Sequence, residues 1–221
     1  MLIITGHYGS GKTEFVVNYA MQMAKKDDRK IAVVDLDVVN PYFRSREKTA
    51  LMEENGIEVL GSSLGNRHQS LDMPALPAEI NRYIENPQIY SIFDVGGDGE
   101  GARVLSRFSD KIKNAGYDMY IIVNANRPMT DHADKVISYI SDIQSQSRLT
   151  INGLINNTHL IRETSEQDIL RGYDLVKTVS KKTGIPIIFN VIPNYLKIQN
   201  IHSKIDKVFI LDELYMRPEW L

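Results

Sequence analysis

The residues best suited to chemistry form one short run, Gly6-His7-Tyr8-Gly9-Ser10-Gly11-Lys12-Thr13. The spacing is G-x-x-x-x-G-K-[ST], the pattern of a phosphate-binding loop. Glycines let the backbone wrap a polyphosphate so that successive N–H groups point inward, and a helix starting there adds its positive end. Tyr8, Gly9, Ser10, Gly11, Lys12, Thr13 and Glu14 are therefore the expected cradle. Lys12 would reach the β- and γ-phosphates and act in catalysis, and the Thr13 hydroxyl would bind Mg²⁺. The flanks agree with the motif, because an apolar run, Met1 to Thr5, precedes it and a helix-like stretch, Glu14 to Lys25, follows.

Acidic residues close two further apolar runs. In Asp35-Leu36-Asp37 the alternation of a strand sends both carboxylates to one face. Asp35 suits holding the loop or its lysine, or simply capping a turn. Asp37 suits polarising an attacking water or holding a Mg²⁺-bound water. Asp94 is followed by Gly96-Gly97, which places a carboxylate for the metal ahead of a glycine N–H, that of Gly97, for the γ-phosphate. The expected metal set is thus Thr13, Asp37 and Asp94, and the expected catalytic pair is Lys12 and Asp37.

The elements that must position these groups alternate along the chain. Strand-like runs are Ile31–Asp37, Ile57–Leu60 (peripheral), Ile89–Val95, Met119–Asn124, Ile151–Ile155 and Ile185–Ile192. They are continuously apolar rather than alternating, as in strands buried on both faces of a parallel sheet. Helical patterns cover Glu14–Lys25, Arg44–Asn55, Pro77–Glu85, Ala102–Ala115, Asp131–Ser145 and Ser165–Thr183. Thr130 or Asp131 would cap the fifth; Ser165 with Asp168 begins the last, and Gly184-Ile185-Pro186 stops it. The order predicts an α/β fold, three-layer and doubly wound, with a mainly parallel, Rossmann-like sheet and helices on both faces. Residues 1–221 read as a single domain. Polar and glycine residues gather where such strands end, including Asn124–Arg127, Asn156-Asn157 and Pro193-Asn194, which is where ligands sit in this architecture.

Composition narrows the function. A chain of 221 residues, 43% hydrophobic, can bury a full core. A formal charge of -2 and a pI near 6.2 argue against a dominant nucleic-acid partnership. There are no cysteines, which excludes disulfides and thiolate metal sites. No basic and apolar leader precedes the first strand, and no apolar run approaches the roughly 18 residues of a membrane span, so a cytoplasmic location is expected. His7, His68, His132, His159 and His202 show no metal-ligand spacing. The tail, Ile205–Leu221, is apolar but carries Asp206, Asp212, Glu213 and Glu219, which would repel anionic lipid, so a docked last element is expected rather than a membrane helix. Arg103 and Arg107 read as a solvated helical face. Asn40–Arg46 reads either as a partner contact or as a Pro-initiated helix start, and Gly61–Pro77 as a ligand-facing loop for a substrate or effector.

In the order phosphate loop, D-x-D, D-x-G-G, Asn pair and Ile-Pro strand, the chain resembles the MinD/ParA/nitrogenase-iron-protein/cobyrinate-synthase group of SIMIBI-class P-loop NTPases over roughly residues 1–194. The resemblance implies ATP or ADP and Mg²⁺ as ligands, slow hydrolysis, and often a nucleotide-dependent homodimer. It implies that Asp37 is the switch-I aspartate and Asp94 the Walker-B aspartate. It also implies that Asn157 contacts adenine and Pro193 lines the base pocket. The chain departs from the group at His7, which stands where a second, trans-acting lysine is usual and so weakens the case for a sandwich dimer. The loop itself is closer to those of hydrogenase- and urease-maturation GTPases. Their guanine-reading Asn-Lys-x-Asp is missing, the nearest segments being Asn124–Arg127 and Asn156–His159, so ATP is expected over GTP. The leading expectation is an ATPase whose nucleotide state switches conformation or partner binding. Alternatives are an ATP-dependent amidoligase or kinase, a metallocentre-maturation NTPase, and a non-hydrolysing nucleotide-binding module.

Overall fold

The computed structural model describes residues 1–36, 48–61, 75–198 and 201–216. Eight strands form one sheet: β1 (Leu2–Gly6), β2 (Lys30–Asp35), β3 (Glu58–Leu60), β4 (Ile89–Asp94), β5 (Asp118–Val123), β6 (Gly153–Asn156), β7 (Ile187–Pro193) and β8 (Val208–Leu211). Their order is β3-β2-β4-β1-β5-β6-β7-β8 and every pairing is parallel. The helices are α1 (Lys12–Met23), α2 (Thr49–Glu54), α3 (Ala75–Glu85), α4 (Gly99–Ser106), α5 (Ser109–Ala115), α6 (Ala133–Ser147), α7 (Glu166–Thr183) and α8 (Ile201–Lys204).

Strand alternation divides the core into two layers. Ile3, Ala32, Val34, Phe93 and Ile121 face one side, packed with Ile80, Leu105, Ile112, Val136 and Val176 from α3 to α7. Leu2, Ile4, Val33, Ile92 and Ile122 face the other, packed with Phe15, Val16, Ala20 and Met21 of α1 and Met52 of α2. Phe15 is fully buried, with ring centroids 5.0 Å from Phe209 and 5.6 Å from Tyr19. This aromatic cluster seats α1, and with it the loop that opens the helix, onto the sheet. From β1 the chain runs outward to β2 and β3 on one side and later to β5 through β8 on the other. The winding therefore reverses at β1, and the crevice beyond its carboxyl end is where ligands bind in such sheets.

Several expectations shift. Ala102–Ala115 is two helices, not one. Asp98 starts α4 early by accepting from the Gly101 N–H at 2.7 Å. At its end the Ser106 and Ser109 hydroxyls donate to the carbonyls of Arg103 and Ser106, an alternative to the helical ladder. Neither Thr130 nor Asp131 caps the fifth helix: Thr130 donates to the Asn124 carbonyl at 2.7 Å, Asp131 pairs with His132 and Lys135, and α6 begins at Ala133. The Ser165–Asp168 capping box is present. The tail does dock, as a strand, β8, rather than through a helix. Asp37, Asn40–Arg46 and residues 62–74 of the expected ligand-facing loop lie outside the described residues.

Candidate functional site

The loop between β1 and α1 turns on two glycines in the left-handed region, Gly9 at φ +74° and Gly11 at φ +82°. Space demands glycine too: a Cβ on Gly11 would meet the Asn157 amide nitrogen at 2.4 Å, and one on Gly9 would meet Arg127 Nε at 2.8 Å. The Ser10 N–H closes the turn onto the His7 carbonyl at 3.0 Å. Gly11 is the N-cap of α1 and supplies no side-chain cap to this 12-residue helix, and the N-terminal end of a helix is a setting that favours an anion.

Side chains from neighbouring strand ends grip the loop by its carbonyls. Asn157, just past β6, donates to the Ser10 carbonyl at 2.8 Å. Arg127, four residues past β5, donates from Nε to the Gly9 carbonyl at 2.9 Å, and Asn124 reaches the same oxygen at 3.4 Å. Because a trans peptide points its C=O and N–H oppositely, holding the Ser10 carbonyl also fixes the direction of the Gly11 N–H.

A cavity of about 260 Å³ opens on this loop. Tyr8, Gly9, Gly11, Lys12, Thr13, Glu14, Asn157 and Pro193 line it, together with Arg127, His159, Ile161, Tyr195, Leu211, Leu214 and Met216. Lys12 and Thr13 are buried at 7% and 8% exposure, whereas Tyr8 stands 61% exposed at the rim. Ser10 is buried outside the lining. The Glu14 carboxylate accepts from the Tyr215 and Met216 N–H groups. Ile161 is β-branched yet sits at φ +56°. That conformation costs about 1–2 kcal/mol, and the Tyr195 and Thr164 hydroxyls, both donating to the Ile161 carbonyl, hold it in place.

Asp94 and Gly97 stand apart from the cavity lining, beside the start of the loop. Asp94 ends β4 in register with Ile4 of β1 and with Asp35 of β2, and both carboxylates are buried. Gly97 lies so close to β1 that a Cβ would fall 1.8 Å from the Gly6 carbonyl, and its own carbonyl accepts from the Tyr139 hydroxyl at 2.5 Å. The His7 ring meets Tyr139 edge-on, with centroids 5.8 Å apart. Thus the position where the resembled group usually has a lysine carries an imidazole set edge-on to Tyr139, whose hydroxyl holds Gly97. A hydroxyl and carboxylates are hard oxygen donors and suit Mg²⁺, which usually completes its shell with phosphate oxygens and water. Among the described residues no group of three or more His, Asp or Glu gathers into a protein-only metal cage.

No family model matches this chain, and no curated protein matches it. Solved structures do. FtsY from Mycoplasma mycoides matches at TM-score 0.53 and 15% identity, covering 85% of this chain and 58% of that one. Cell division protein FtsY from Thermotoga maritima matches at 0.55 and 15%, covering 84% and 59%. Chloroplast FtsY from Physcomitrella patens matches at 0.54 and 13%, covering 85% and 56%. The fold is that of a P-loop NTPase. At these identities the likeness concerns fold alone, and the chain spans less than two thirds of the FtsY chains it matches.

Of the lining residues, sequence reasoning missed Arg127, His159, Ile161, Tyr195, Leu211, Leu214 and Met216. Arg127 did lie in a segment marked as a strand end, and His159 in the segment compared with a guanine-reading motif. Leu211 to Met216 carried no motif, and only the apolar character of the tail pointed to them.

Proposed function

We propose that the chain is a Mg²⁺-dependent ATP-binding protein and ATPase of the MinD/ParA-like class, whose nucleotide state switches its shape or its binding to a protein partner. The observation that carries this reading is one cavity that runs from the first-turn amides of α1 to Asn157, Pro193 and an apolar wall. Phosphates would rest on the amides of residues 9–14, with Lys12 neutralising charge that builds on them during transfer. Bound Mg²⁺ would supply further neutralisation between the phosphates, held by the Thr13 hydroxyl, with Asp94 and Asp37 placing its water shell. Asp37 is also assigned the attacking water.

The base end supports ATP over GTP. Asn157 ties down the loop, as the asparagine of a guanine-reading motif would, but the position three residues on is Leu160, 47% exposed, and not an aspartate. Glu14, the carboxylate among the lining residues, is engaged by backbone N–H groups. Among the described lining residues, a guanine would meet no carboxylate besides Glu14 to accept its N1 and N2 hydrogens. The assignment also covers a cytoplasmic setting; no described helix is long and apolar enough to cross a membrane. His7 against Tyr139 is proposed to leave any homodimer without a trans-acting lysine.

Calorimetric titration with ATP and GTP in the presence of Mg²⁺ tests the reading. Wild type should bind ATP at least tenfold tighter than GTP, and Lys12→Ala should lose ATP binding or turnover by more than a hundredfold while keeping its fold. Equal activity in Lys12→Ala contradicts the mechanism, and a preference for GTP contradicts the base assignment.

A further inference from the structure

The base end of the cavity is closed by a stretch that no phosphate-loop motif includes. Past β8, residues 212–216 belong to no regular element, so their backbone groups need partners from elsewhere. Two side chains four apart on one face of α1 supply them. Glu14 Oε1 accepts from the Tyr215 N–H at 2.7 Å, and Oε2 from the Met216 N–H at 3.1 Å. Asn18 Oδ1 accepts from the N–H groups of Asp212 at 2.9 Å and Glu213 at 3.4 Å. Asn18 Nδ2 donates to the Glu213 carbonyl at 3.0 Å and to Glu14 Oε1 at 3.1 Å, which locks the pair together. Asn18 is fully buried, and the Asn194 N–H joins the same wall to β7 through the Leu211 carbonyl at 2.9 Å.

Resting on the nucleotide reading above, we propose that Glu14 and Asn18 are positioning residues for the nucleobase. They clamp residues 212–216 so that Leu211, Leu214 and Met216 form an apolar wall against which a flat purine ring lies. The physical match is direct: aliphatic carbons and a polarisable thioether cover an aromatic face and ask nothing of its edge. The clamp also hangs that wall on the helix whose first residues are Lys12 and Thr13, so the two ends of the ligand are gripped by one rigid element. Glu14 acts here through the backbone it holds, not by touching the base.

The test separates the base from the phosphates. Full-length wild type, Asn18→Ala and Leu214→Ala are titrated with ATP and with inorganic tripolyphosphate, both with Mg²⁺. Wild type should bind ATP more tightly than tripolyphosphate. Asn18→Ala should weaken ATP at least tenfold and leave tripolyphosphate within twofold of wild type. Leu214→Ala keeps the clamp and trims the wall; it should weaken ATP several-fold with no effect on tripolyphosphate, and it decides the matter if Asn18→Ala does not fold. Equal weakening of both ligands in Asn18→Ala, or undiminished ATP binding in Leu214→Ala, overturns the clamp alone. A wild type that binds neither ligand overturns the nucleotide reading, and the clamp falls with it.

Discussion

On the proposed reading, the phosphate end and the base end of the cavity are built by opposite strategies. The phosphate end is local: a strand, two left-handed glycines and a helix start within residues 2–23, presenting backbone amides. The base end is assembled from the distant ends of β6 and β7 and the stretch after β8, and what it presents is side chains: Asn157, Ile161, Pro193, Tyr195, Leu214 and Met216. A polyphosphate has the same geometry in every nucleotide, so a short fixed loop suffices for it. A base is told from another base by its rim, and the groups that face it must come from whatever the fold brings near. α1 is shared by both ends, through Lys12 and Thr13 on one side and the Glu14–Asn18 clamp on the other.

The largest effect should come from breaking what the two ends share. Phe15→Ala removes the buried ring that seats α1 and should cost about 3–5 kcal/mol of stability, measured by denaturant unfolding; a loss below 1 kcal/mol would mean that α1 is held some other way. Next is the phosphate end alone. Gly11→Ala forces a Cβ into the left-handed region and against the Asn157 amide, and both ATP and tripolyphosphate should weaken about a hundredfold, roughly 2.7 kcal/mol. If only ATP weakened, the division between the ends would be wrong. Arg127→Ala takes away one charged hydrogen bond to the loop, worth about 1.5–3 kcal/mol in general, and about a tenfold loss shared by both ligands is the expected result in the same titration. The smallest effect is a pH dependence at the start of α7. Hydrogen bonds from Ser165 hold the Asp168 carboxyl down at about 2, below its ordinary 3.8. A lowered folded-state pKa means stability that is present above pH 3.8 and lost as pH falls toward 2. Thermal melts of wild type and Asp168→Asn should therefore differ near neutrality and converge in acid; parallel curves down to pH 2 would remove the capping role of Asp168.

The same contrast explains what could be read from residues alone. The phosphate loop, the parallel sheet, the strand-end carboxylates Asp35 and Asp94, and the capping box at Ser165 all follow from spacing and period within a few residues, and all are present. Helix boundaries slipped where a side chain competed with the ladder, as Ser106 and Ser109 do between α4 and α5, or where Asp98 capped earlier than the apolar pattern began. Of the proposed base end, resemblance pointed only to Asn157 and Pro193, and both line the cavity. Nothing local links Glu14 to Tyr215 across 201 residues, or Arg127 to Gly9 across 118. Those pairings arise from strand order, which the run of apolar segments does not encode. Asp37 stays an assignment by spacing and resemblance.

The central claim is that the amides opening α1 seat a triphosphate whose base lies toward the wall formed after β8. A crystal structure of the protein with Mg²⁺ and a non-hydrolysable ATP analogue tests it most directly. The account requires the phosphates on the N–H groups of residues 9–14 beside Lys12, with adenine between Pro193 and Leu214. An analogue bound elsewhere, or a loop left empty at saturating ligand, would contradict it.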